Sequence, residues 1–476
     1  MVFSDPLFIF AFLPIFLLVY SVVDRRFTNI YVFFASLLFY MWGEKKFVWV
    51  LLLSIILNYS VGVAISEAKF RDADAPKRHS LGVALLVAGI VADLALLIYF
   101  KYIGFFTANI ALVQSLVHNK HIIPIIHQAL PLGISFFTFQ GISYLIDCYR
   151  GDVQPTRSLV KFATYKILFP QLIAGPIVRY AEVAREMDKR SVGTDQIFEG
   201  MRRFIVGFVK KVLLADTFAS VADPIFGVEP GTLSTAAAWL GAVCYALQIY
   251  FDFSGYSDMA IGIGGMLGFH YPENFNYPYI SLSIREFWRR WHMTLSFWFR
   301  DYVYRPLGGN RVGAIRTYLN LLLVFVLTGF WHGASWTFVA WGLWHGLFMM
   351  IERRFDPASW PFPTFLRRLY ALGVVLFGWV LFRADSFSHA AQMIGRMLTW
   401  HGAKALHSFG EFYTPLVGIT LAFGVVSSAP TYGWCAARLG QTGRIVVGTL
   451  VLGGLFIFAG TKVLSGAYSP FLYFRF

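Results

Sequence analysis

Three stretches of the chain carry side chains that could do chemistry. His332 stands between two apolar runs, Leu321–Phe330 and Ser335–Ile351; basic stretches flank the pair, and with both flanks cytoplasmic the runs form a hairpin with His332 near its deep end. A lone histidine in such a setting is most often a satisfied core residue. An ionisable group among membrane-length apolar segments, however, is costly and marks a functional site by default. Neutral imidazole can take or give a proton near neutral pH, which suits general acid–base work. Upstream, Arg285, Arg289, His292 and Ser296 recur near the helical period and can line one face. Trp288, Trp291, Phe297 and Trp298 are interleaved with them. An amphipathic, basic and aromatic helix at a membrane interface explains the arginines and tryptophans. It explains His292 less well. Third, Gln248 and Asp252 lie four residues apart at the end of an apolar run, so they share a helix face. Asp252 either pairs with an arginine and holds helices together or touches substrate.

The elements that must position these residues are membrane helices. Of the 476 residues, 57% are hydrophobic and only 14% are charged; soluble domains carry roughly 25% charged residues. The expected fold is an all-α polytopic integral membrane protein with about 11 spanning or re-entrant helices. The candidate segments are Leu7–Val23, Asn29–Trp42, Phe47–Ile65, Leu81–Phe100, Pro131–Ile146, Ala236–Phe253, Leu321–Phe330, Ser335–Ile351, Leu369–Phe382, Tyr413–Val426 and Ile445–Lys462. Leu7–Val23 reads as a first span, because no basic segment precedes it and no small-residue cleavage pattern follows. The stretches 159–202 and 274–316 mix apolar residues with proline, glycine and charge, and read as interfacial helices or cytoplasmic rims.

The formal net charge is +14. The basic residues sit in loops beside apolar runs, which points to cytoplasmic loops rather than to nucleic acid. Arg25, Arg26, Lys69, Arg71, Lys77, Arg78, Arg150, Arg157, Lys161, Arg353, Arg354, Arg367 and Arg368 place their loops inside and the N-terminus outside. Lys45 and Lys46 run against that orientation. Cys148, Cys244 and Cys435 are too few and scattered for a disulfide framework or zinc site, and no metal is expected. There is no G-x-S-x-G elbow, H-E-x-x-H pair, or G-x-x-x-x-G-K-[ST] loop, and no histidine is followed five residues later by aspartate. These absences argue against a serine hydrolase, an intramembrane zincin, a P-loop ATPase and the usual soluble-facing glycerolipid acyltransferase pattern.

In order along the chain come Pro170-Gln171-x-x-Ala174-Gly175-Pro176, Asp252-Phe-Ser-Gly-Tyr-Ser-Asp258, the arginine-rich run through Trp291-His292-Met293, and Phe330-Trp331-His332-Gly333. The opening Met1–Ser4 and the ending Phe471–Phe476 complete the pattern. With these motifs the chain resembles the membrane-bound O-acyltransferase family, in its bacterial branch that acetylates polysaccharides such as alginate and cellulose. The resemblance covers residues 1–476 as a single transmembrane domain. It implies helices around a central funnel with interfacial helices on the cytoplasmic side, and a multi-pass protein of the bacterial inner membrane. It implies acetyl transfer from a thioester, acetyl-CoA, which is a substrate rather than a bound cofactor. The implied partners are a periplasmic SGNH-type acetyltransferase, other polysaccharide acetylation and secretion proteins, and the bilayer. D-alanyl transfer to teichoic acid is a more distant option in the same family.

In this scheme His332 takes the proton of the acceptor hydroxyl. His292, 40 residues upstream, orients the thioester or stabilises the oxyanion. Arg285, Arg289, Arg290 and Arg300 bind donor phosphates, and Asp252, Gln248 and Trp331 contact the substrates. Two other readings compete. A transporter or flippase for a lipid-linked sugar or acyl carrier would also hold intramembrane charges, but no inverted repeat is visible. A scaffold that only recruits an exported enzyme would leave both histidines dispensable.

Overall fold

The computed structural model describes residues 3–70, 76–118, 124–402, 405–431, 438, 440–466 and 471–472. Arg71, Cys435, Met1, Val2 and residues 473–476 of the closing motif lie outside them. The described residues are helical, with no strand and one isolated bridge between Leu233 and His407. Each of the eleven apolar runs lies largely in helix, although residues 131–133 and 413–414 do not. Six helices are long and apolar enough to cross a membrane: Val48–Lys69, Ser80–Val117, Thr235–Met266, Ala314–His332, Thr364–Arg383 and Val446–Leu464. Phe8–Val22, Thr28–Gly43 and Pro415–Ser427 are apolar but shorter. The stretches 159–202 and 274–316 break into short helices, as their prolines and charges require.

The described chain divides into two compact units. The first comprises Met1–Gly200 and Ile263–Pro272. Its helices α1 (Val48–Phe70), α2 (Pro76–Leu97) and α3 (Ile134–Arg150) pack together, with α4 (Leu159–Ile167) against α1. A buried polar node links them. Asn58 of α1 donates to Asp93 of α2 at 2.9 Å, and Lys166 of α4 is fully buried beside them. Gly141 of α3 makes room: a Cβ there would sit 2.5 Å from Asn58 Oδ1 and 2.8 Å from both Asp93 Oδ2 and Lys166 Nζ. The Pro170–Pro176 motif is buried in this unit, and Gly175 takes φ +97°, a left-handed conformation that favours glycine.

The second unit comprises Met201–Gly262 and Glu273–Phe476. It holds most of the largely buried helix α5 (Thr235–Met266), then the short helices α6 (Ile284–Arg290) and α7 (Met293–Phe299), and a π-helical turn at Arg300–Tyr304. There follow α8 (Ala314–His332), α9 (Trp336–Arg354) and α10 (Thr364–Arg383). Helices α8 and α9 form a tight hairpin. Their backbones meet at two glycines: a Cβ on Gly329 would lie 2.2 Å from Phe338 O, and one on Gly342 2.3 Å from Phe325 O. Small residues allow this approach where helices pack without a hydrophobic driving force. The core around the hairpin is aromatic, with Trp291, Trp341 and Trp379 all essentially inaccessible. Ring pairs such as Trp291–Trp379, 4.8 Å between centroids, add about 0.5–1.5 kcal/mol each beyond area burial.

Candidate active site

The hairpin delivers His332 to the last residue of α8, where Gly333 ends the helix in extended backbone. A 19-residue helix is roughly 28 Å long, about the thickness of the hydrocarbon core, so His332 lies a full helix length from Ala314. The side chain is 4% exposed. It is boxed by Trp331, Trp341 and Phe382, with ring centroids at 4.9, 5.3 and 5.3 Å. His292 lies beside this box, its ring centroid 6.4 Å from His332 and 6.1 Å from Trp331. Walls this dry strengthen any electrostatic interaction made inside them.

His292 does not continue the basic helical face. The helix stops at Arg290, and His292 takes φ +43°, a left-handed conformation, as the N-cap of α7. Such a conformation costs a non-glycine residue of order 1–3 kcal/mol and persists where surrounding contacts over-determine it. Those contacts come from residues 274–276. Met293 N–H donates to Asn274 O at 3.0 Å, and Asn276 N–H donates to Arg290 O at 2.9 Å. The His292 ring is fully buried, its Nδ1 lies 3.0 Å from Asn274 Oδ1, and it packs edge-on against Phe253 at 4.7 Å. Burial pushes its pKa down to about 3, so the ring is neutral at pH 7. Asn274 is the residue of this site that sequence inspection passes over.

Arg285, Arg289 and Ser296 do share a surface. With Arg300, Arg353, Asp356 and the apolar residues Trp288, Phe299, Val324 and Phe325, they line a cavity of about 540 Å³. Thr328, one turn before His332 on α8, lines it too. Four arginines and one carboxylate make the lining strongly cationic. Arg289 is exposed and has no ion pair among the described residues, whereas Arg285 lies 3.5 Å from Asp356 and Arg300 lies 2.8 Å from Asp301. Glu352, fully buried in the last turn of α9, anchors this wall: its carboxylate accepts the Ile284 N–H at 2.6 Å and the Arg285 N–H at 2.8 Å. Glu352→Ala strips both acceptors from the start of α6. The expected loss is about 1–3 kcal/mol, read as a lower melting temperature in detergent.

The family model for membrane-bound O-acyltransferases matches residues 153–389, which include both histidines and the cavity arginines. A protein of Pseudomonas putida named probable alginate O-acetylase is 40% identical over the full length of both chains. The chain belongs to the membrane-bound O-acyltransferase family. A peptidoglycan O-acetyltransferase of Helicobacter pylori is 36% identical over 100% of this chain and 98% of its own. A teichoic acid D-alanyltransferase of Bacillus subtilis is 29% identical over 54% of this chain and 70% of its own. The chain is thus an acyltransferase with several membrane-length apolar helices.

Not every expected site residue of this acyltransferase gathers around the histidines. Arg290 is absent from the cavity lining; it pairs with Glu286 at 2.9 Å and donates to Asn276 O at 3.0 Å. Asp252 accepts from Lys211 Nζ at 2.6 Å and from the Leu472 N–H at 2.8 Å, and Lys211 also meets Asp216 at 2.8 Å. The partner is a lysine rather than the expected arginine, and the contact ties α5 to the π-helical turn Lys210–Ala215 and to the C-terminal segment. Gln248 is buried one turn earlier on α5, and its Oε1 has no hydrogen-bond partner among the described residues. His345 was also passed over. It is fully buried, and the Trp288 indole N–H points at its Nδ1 from 3.4 Å. The repeated Trp-His-Gly at 331–333 and 344–346 was the available signal for it.

Proposed function

We propose that this acyltransferase moves an acetyl group from a cytoplasmic thioester donor, acetyl-CoA, across the bacterial inner membrane for O-acetylation of an exopolysaccharide, with His332 as the general base. The observation that carries this reading is His332 itself: buried in an aromatic box beside a neutral His292, one helical turn past a cavity ringed by arginines. Acyl transfer from a thioester needs no covalent enzyme intermediate. The acceptor oxygen attacks the thioester carbonyl as its proton passes to His332, the C–S bond breaks, and the thiolate leaves with that proton. The arginine-lined cavity suits the donor's phosphates, since guanidinium groups bind phosphate in charge-assisted pairs. Arg353 adjoins a loop that the positive-inside rule assigns to the cytoplasm, which makes this the donor's entry side. The relatives named for alginate favour alginate as the final polymer; the one named for peptidoglycan is the next option, and cellulose stays an alternative from the motif resemblance alone. A periplasmic SGNH-type acetyltransferase, acting with other polysaccharide acetylation and secretion proteins, would complete the transfer.

Purified protein in liposomes, given acetyl-CoA labelled in the acetyl group, should release CoA and pass the label to an acceptor. A transporter of lipid-linked sugars would move its cargo and leave acetyl-CoA intact, and that outcome would retire the acyltransferase mechanism. Arg289→Ala should raise the donor KM about tenfold, the equivalent of one charge-assisted hydrogen bond to phosphate. Arg290→Ala, outside the cavity, should leave the donor KM near wild type. Equal effects of the two substitutions would remove the phosphate role from the cavity.

A further inference from the structure

The Asn274 side chain can be oriented without ambiguity. Its Oδ1 faces the backbone N–H of Thr294 at 3.4 Å and the Thr294 hydroxyl at 2.9 Å, while its Nδ2 donates to Ser257 Oγ at 3.0 Å. A backbone N–H can only donate, so the atom facing it is the amide oxygen. The same oxygen lies 3.0 Å from His292 Nδ1. A carbonyl oxygen can only accept, so His292 Nδ1 carries the hydrogen. In the neutral ring Nε2 is then the lone-pair nitrogen. That nitrogen is buried and has no hydrogen-bond partner among the described residues.

We infer that Asn274 is a positioning residue of this site: it holds His292 as the Nδ1–H tautomer, so that His292 Nε2 is the acceptor toward which the ring N–H of His332, its centroid 6.4 Å away, closes during acyl transfer. The inference rests on the acyl-transfer reading above. It changes the part expected of His292, because a neutral ring in this tautomer has no Nε2–H to offer an oxyanion. The sequence of bonds balances. The acceptor O–H proton goes to the unprotonated ring nitrogen of His332, the new C–O bond forms, the C–S bond breaks, and the thiolate removes the proton. His292 stays neutral throughout. Its lone pair steadies the imidazolium that forms transiently on His332, as a buried acceptor does for the histidine of a hydrolase triad.

The groups facing His292 are few. Helix α5 supplies Phe253, and the amide of Asn274 stands between the ring and Ser257; α8 supplies Trp331 and His332. Among the described residues His332 is thus the titratable neighbour. Asp258, next to Ser257, is paired with Arg203 at 2.7 Å and Lys210 at 2.6 Å.

Asn274→Asp keeps the shape and the acceptor but adds a negative charge. A nearby anion favours imidazolium, so the acid limb of the kcat profile should move up by about 1–3 pH units. Asn274→Ala frees the tautomer and should lower kcat on the order of a hundredfold with the donor KM little changed. Superimposable pH profiles and a wild-type kcat in Asn274→Ala would overturn the inference. A variant that fails to assemble does not stall the test. The ¹⁵N spectrum of histidine-labelled wild-type protein, assigned by difference from His292→Asn, should show protonated Nδ1 and bare Nε2 at pH 7; the reverse pattern overturns the inference. Wild-type protein that transfers no acetyl label would instead sink the acyl-transfer reading and leave the tautomer result standing.

Discussion

His332→Ala abolishes acetyl transfer while the protein stays folded and inserted. A positioned base contributes on the order of 10²–10⁴ in rate, so kcat should fall by at least that factor. The drop should appear in kcat more than in the donor KM, because the arginines that line the cavity are untouched. Removing a boxed imidazole also leaves a void among Trp331, Trp341 and Phe382. His332→Gln, which fills more of that space, separates chemistry from packing: it should be as inactive as the alanine variant and closer to wild type in melting temperature. Normal polysaccharide acetylation in either variant would sink the catalytic assignment. It would favour a scaffold that merely recruits an exported enzyme, for which both histidines are dispensable.

The second large effect belongs to stability. Lys211→Met removes the cation that Asp216 and Asp252 share, and both the lysine and its two partners are buried. Breaking a buried ion pair by deleting one partner costs about 3–5 kcal/mol, because desolvated charge is left without compensation. The variant should therefore be recovered in lower yield and melt early in detergent. Adding Asp252→Asn and Asp216→Asn to Lys211→Met should restore much of the loss, since neither buried carboxylate is then left charged. If the triple variant melts no higher than the single one, the cluster does not act as a charge-balanced clamp.

Much of the architecture was legible because helix formation in apolar sequence is a local matter. Each apolar run became largely helix, and the hairpin carrying His332 followed from two runs joined by a short glycine-containing turn between basic flanks. The lengths were less legible. Leu321–Phe330 is one part of a 19-residue helix, and Leu81–Phe100 continues through a π-helical turn into a 38-residue helical stretch. Hydropathy marks where a helix is apolar, not where its hydrogen bonding stops. The reading of Arg285, Arg289, His292 and Ser296 as one helix face assumed a single helix; that helix ends at Arg290, Ser296 stands on α7, and Arg285, Arg289 and Ser296 meet as the lining of one cavity. His292 left that face because residues 274–276 bind the backbone at 290 and 293 and hold it in a left-handed turn.

By itself, then, the sequence determined a helical membrane acyltransferase, the hairpin with its terminal histidine, and the arginines near it. Those features depend on periodicity, charge placement and motif order, which are properties of neighbouring residues. Only the tertiary structure decided which polar groups meet. Asn274 reaches His292 across 18 residues, Lys211 reaches Asp252 across 41, and Glu352 reaches Arg285 across 67. A hydrogen bond needs its atoms placed to within a few tenths of an ångström. No spacing rule along a chain can supply that placement; it comes from how the helices pack.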